Sequence, residues 1–86
     1  MKNIAKKTII LYVLEILYKG SSKERLIKPK SIAKVINSMG VEVSTRTVLR
    51  NIQYLIAYGM PIYKGKNRND GYYYEKSKDR FFGKNI

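Results

Sequence analysis

The sequence predicts a small α+β fold in which three helices are followed by one antiparallel β-hairpin. Two patterns carry that expectation. Three segments place apolar residues at the spacing of an amphipathic helix, and each stops at a glycine-marked break: Gly20-Ser21-Ser22, Gly40, and Gly59 with Pro61 beyond it. After Pro61 the pattern changes, and aromatic and β-branched residues flank a turn-rich run that closes on Asp70-Gly71. A chain of 86 residues has room for one modest core and not for two. The expected domain runs over 1–75, and 76–86 is a short C-terminal tail.

The first helix is expected from Ile4 to Lys19. Ile9, Val13, Ile16 and Leu17 form its apolar stripe, widened by Ile10 and Leu14. Leu11, Glu15 and Tyr18 fall on the opposite side, which makes Leu11 and Tyr18 candidate contacts for a second subunit. The N-terminal stretch has the outline of a signal peptide. Glu15 interrupts its apolar run, however, and its removal would strip much of the core, so it is read as part of the domain. The run from Thr8 to Tyr18 also falls short of the about 20 residues a bilayer span needs. No membrane association is expected, and the cytoplasm is the expected location.

Arg25 to Lys28 can form a short strand ahead of Pro29, which suits the first turn of a second helix because its missing N–H costs nothing there. Ile32, Ala33, Val35, Ile36 and Met39 supply that helix with a buried face, and Gly40 caps it. Val41, Glu42 and Val43 make the following turn, with Val43 expected to point inward. Ser44 is the expected N-cap of a third helix reaching Tyr58, and Gly59 and Pro61 end it. In the hairpin, Tyr72, Tyr73 and Tyr74 must alternate faces, so Tyr73 should differ from its neighbours. The tail is polar except for Phe81 and Phe82, which either pack back on the first helix or join a dimer.

The charge balance bears most directly on function. Eighteen Lys and Arg face six Asp and Glu, a formal charge of +12, and the pI is near 10.0. Such an excess repels itself in a compact state, and a polyanion, nucleic acid above all, is the partner that relieves it. With neither cysteine nor histidine, the chain lacks thiol nucleophiles, disulfides, imidazole bases and the usual zinc ligands. Neither an enzyme nor a cofactor is expected.

The third helix combines both themes. Val48, Ile52 and Leu55 lie at i, i+4 and i+7 and face the core. Arg46, Leu49, Arg50 and Gln53 repeat half a turn away. Two guanidinium groups and an amide are the groups that read guanine and adenine edges in the major groove. Thr45 and Thr47 stand in the first turn, where hydroxyls and free N–H groups hold phosphates. A helix, a short turn and a capped second helix with such a face form a helix-turn-helix arrangement, and double-stranded DNA is its expected partner. On the hairpin, Lys64, Lys66 and Arg68, with Asn67 between them, crowd the expected tip and suit phosphate or minor-groove contact.

The run Gly40-Val41-Glu42-Val43-Ser44-Thr45-Arg46-Thr47-Val48-Leu49-Arg50-Asn51-Ile52-Gln53-Tyr54-Leu55, followed by Gly59-Met60-Pro61-Ile62 and later Gly71-Tyr72-Tyr73, resembles the N-terminal winged helix of WYL-domain transcriptional regulators. It is similar, more loosely, to DeoR-type repressors. The resemblance implies a winged helix-turn-helix fold, with three helices and a small antiparallel β-hairpin wing. It also implies that Ser44 to Gln53 faces DNA and that the wing contacts backbone or minor groove. Two departures stand out. Asn51 replaces the acidic residue usual after the arginine, and the large effector-binding region of those regulators has no counterpart, so no small-molecule effector is expected. The function these readings converge on is a sequence-specific transcriptional regulator, a repressor or activator, of a prokaryote, virus or plasmid. A protein-interaction module for an acidic partner and a sequence-neutral architectural binder are the competing classes.

Overall fold

The computed structural model describes residues 8–67 and 70–80. Its elements are α1 (Ile9–Gly20), α2 (Pro29–Ser38), α3 (Thr45–Tyr58), β1 (Ile62–Lys64) and β2 (Tyr72–Tyr74), followed by a 3-10 turn at Lys76–Lys78. The two strands pair antiparallel in the register Ile62↔Tyr74, Tyr63↔Tyr73 and Lys64↔Tyr72. The architecture is therefore α+β, with three helices and a two-stranded hairpin. The expected start of the first helix, from Ile4, lies outside the described residues. No helix among the described residues is long and apolar enough to cross a membrane.

Helix α3 is held at both ends by the residues expected to hold it. Ser44 Oγ accepts the Thr47 N–H at 3.1 Å, relieving one of the donors that a helix start leaves unmatched. At the other end Gly59 adopts a left-handed φ of 115°. Its N–H reaches the Ile56 carbonyl and the Met60 N–H reaches that of Leu55, each at 3.0 Å. Pro29 occupies the first position of α2, as expected.

The core lies where α1 packs on α3 and β2, and α2 packs on α3. Val13, Leu17, Ile32, Ile36, Val48 and Ile52 are fully enclosed there. Burying side chains of this size contributes about 1.5–3 kcal/mol each. In so small a domain each helix meets few neighbours, so its buried arc is narrower than its apolar arc. On α1, Leu14 is buried and Ile16 only half-buried. On α2, Ile32, Ala33 and Ile36 face inward, while Val35 and Met39 stay 45% and 49% exposed, contrary to the expectation of five buried positions. In the turn, Val41 takes the core position expected of Val43. Val43 is half-buried, with its N–H bound to Asn37 Oδ1 at 2.9 Å.

The strand expected over Arg25–Lys28 is reduced to one residue. Ser22 and Arg25 exchange hydrogen bonds with each other in a turn, and Pro29 already opens α2. That leaves Ile27 to pair with Tyr72, with N–H···O distances of 2.9 and 2.8 Å in the two directions. Gly71, at φ 105°, permits this approach, since a Cβ there would lie 2.6 Å from the Ile27 carbonyl oxygen. Tyr72 and Tyr74 are buried and Tyr73 is half-buried, the alternation the pleat requires.

Residues 76–80 pack back onto the domain. Asp79 is buried and accepts the Tyr74 hydroxyl at 3.1 Å. Lys76 Nζ sits 4.7 Å from the centre of the Tyr18 ring, and Lys78 Nζ lies 5.1 Å from that of Tyr63.

Candidate nucleic-acid interface

Helix α3 turns Val48, Asn51, Ile52 and Leu55 inward, so the rest of its circumference faces solvent. Ser44, Thr45, Arg46, Leu49, Arg50 and Gln53 are all exposed along that arc, which brings these six candidates together on one surface with Thr47 at its edge. Among the described residues neither Arg46 nor Arg50 has a carboxylate partner. Two free guanidinium groups and the Gln53 amide thus stand on one exposed face of an anchored helix.

Thr47 differs from the other candidates. It is half-buried, and its hydroxyl oxygen accepts from Ser44 Oγ at 3.0 Å. Asn51 continues the same ladder by donating Nδ2–H to the Thr47 carbonyl at 2.8 Å. Ser44, Thr47 and Asn51 therefore fix the first turns of α3. The buried Asn51 carboxamide is spent within the helix, where a carboxylate could not donate.

Beside α3 the surface folds into a groove. Lys28 and Lys30, flanking Pro29, enter it from the start of α2; Thr45 and Leu49 enter from α3, and Lys64 from β1. Lys64 was expected at the hairpin tip with Lys66. It pairs instead with Tyr72, and the pleat places it on the hairpin face turned toward this groove. Lys66 and Asn67 are exposed at the tip itself, while Arg68 lies outside the described residues. The tip is closed by Asp70, whose Oδ2 accepts the Asn67 N–H at 2.9 Å. Among the described residues no carboxylate lines the groove, so its three ammonium groups form a local concentration of positive charge.

Lys28 and Lys30 were missed by sequence reasoning. The available signal was Lys-Pro-Lys at a helix start, where the helix dipole also favours an anion. The candidate subunit contacts separate. Leu11 is 62% exposed and shares a shallow apolar hollow with Leu14, Glu15 and Tyr18. Tyr18 is half-buried and is used within the chain, its ring edge-on to Tyr74 at 5.0 Å. Phe81 and Phe82 lie outside the described residues. Among the described residues no cluster of acidic side chains could hold a metal ion.

Comparison with known proteins finds no matching family model, no similar curated protein and no similar solved structure.

Proposed function

We propose that this protein is a winged-helix protein that binds double-stranded DNA in a sequence-specific manner and regulates transcription. One observation carries the reading. The exposed face of α3 carries Arg46, Arg50 and Gln53 and runs into a groove lined by Lys28, Lys30 and Lys64, and among the described residues no carboxylate pairs with either arginine or lines that groove. An α-helix fits the major groove, where arginine reads guanine and glutamine reads adenine. The lysines beside it neutralise phosphates and fix the register of the helix on the duplex. The net charge of +12 has the sign and size to match. In this arrangement α3 reads bases, the start of α2 and Lys64 hold one strand, and Lys66 at the wing tip reaches backbone further along.

Selection of duplexes from a random pool, followed by affinity measurement over a salt series, tests the proposal. Neutralising about 6 phosphates gives a slope of log K against log salt near −5. A selected duplex should also outcompete random duplex by at least about a thousandfold. A flat salt response, or equal affinity for selected and random duplex, refutes sequence-specific binding.

A further inference from the structure

We propose that Tyr54 is an additional specificity-determining residue whose ring packs against the 5-methyl group of a thymine at the edge of the DNA site. The inference rests on the DNA-binding reading above and names a contact that the arginine and glutamine row does not include.

Tyr54 is 55% exposed although it lies on the best-anchored helix of the molecule. It follows Arg50 by four residues, one turn further along the same side of α3. Its ring forms one rim of a cleft between α3 and the start of α1, where Ile9, Ile10 and Val43 offer apolar surface. Even with that surface at hand, more than half of the residue faces solvent. An exposed aromatic beside an arginine that has no carboxylate partner among the described residues is suited to a partner that is apolar at one point and anionic around it.

The major-groove edge of an A·T pair has that chemistry, because thymine presents a methyl group there. The charge around the cleft favours a base edge over a phosphate at this point. Glu42 lines the same cleft as Arg50 and offsets its charge, so a phosphate gains little there, whereas a methyl group is indifferent to both. Spacing agrees as well. Four residues advance the helix by about 6 Å, against roughly 3.4 Å between base pairs. Tyr54 therefore meets a base pair one or two steps from the one Arg50 reads.

The test uses a duplex selected by the intact protein, in which each thymine in turn is replaced by uracil, a change that removes only the methyl group. One replacement should weaken wild-type binding about three- to tenfold and leave binding by Tyr54→Ala unchanged. Tyr54→Phe, which keeps the ring, should keep the thymine preference, and thermal melting should show both variants folded. If Arg50→Ala weakens binding but no thymine-to-uracil change separates wild type from Tyr54→Ala, the Tyr54 contact is overturned and DNA binding stands. If Arg50→Ala and Tyr54→Ala both bind like wild type on every duplex, the DNA-reading face itself is wrong and this contact falls with it.

Discussion

Ser21 stands to Tyr74 as a neighbouring strand would. The hydroxyl of this buried serine accepts the Tyr74 N–H at 2.9 Å and donates to the Leu17 carbonyl at 2.6 Å. On that edge of β2, Tyr72 pairs with Ile27, and among the described residues no strand residue stands opposite Tyr74. A side chain at the end of α1 takes the vacant place and ties the hairpin to the first helix. Ser21→Ala strands a buried N–H, and such a group costs about 1–3 kcal/mol. For a domain of this size, each kcal/mol lost lowers Tm by roughly 4–8 °C. Calorimetry should show a drop of roughly 4–24 °C, and an unchanged Tm would mean that water replaces the hydroxyl.

Tyr74 also sets a limit at high pH. Burial, reinforced by its hydrogen bond to Asp79, raises the ionisation of its hydroxyl well above the ordinary 10.0. The folded state therefore holds this proton more tightly than the unfolded state does. The resulting stability is fully present below pH 10 and is lost as pH rises through the folded-state value. Near-ultraviolet titration of the folded protein should show a late tyrosine component well above pH 10, together with unfolding. In Tyr74→Phe the late component should vanish, and stability should fall less steeply above pH 10.

The two residues behind these predictions also show what the sequence could and could not reveal. Helix α3 was legible from end to end because its signals are local: a serine cap three residues from its target, a left-handed glycine and a proline just beyond. The alternation of Tyr72 to Tyr74 was legible for the same reason. Ser21 read only as a helix stop, since its partner lies 53 residues away. The single Ile27 pairing and the turn of Lys64 toward the groove likewise depend on how the hairpin docks. Val35 and Met39 were placed inside because periodicity reports which residues share a face and not how wide a face the neighbours cover. The lysine groove draws on three elements distant in sequence, so only its Lys-Pro-Lys part left a trace.

Gly71 links the hairpin to the groove. Its φ of 105° disfavours any side chain, and a Cβ would press on the Ile27 carbonyl. Gly71→Ala should therefore cost more than about 1 kcal/mol. It should also push β2 from Ile27 and carry Lys64 away from Lys28 and Lys30. Denaturation and DNA affinity should both show losses. A variant of full stability and full affinity would contradict the close packing of Gly71 on Ile27.

Arg50 and Lys30 should fail in different ways if α3 reads bases while the groove holds phosphate. Arg50 is exposed on the outer face of α3, with no carboxylate partner among the described residues to be stranded by its removal. Arg50→Ala should cost roughly 1–3 kcal/mol of binding on the selected duplex, less on random duplex, and relax preference at one base pair. Lys30 lies at the start of α2, in the lysine groove that borders that face. Lys30→Ala should weaken binding to selected and random duplex alike and reduce the salt slope by about 1. Parallel salt titrations of both variants on both duplexes separate the two effects. Equal, sequence-blind losses from the pair would leave charge as the basis of affinity and remove α3 as the reader.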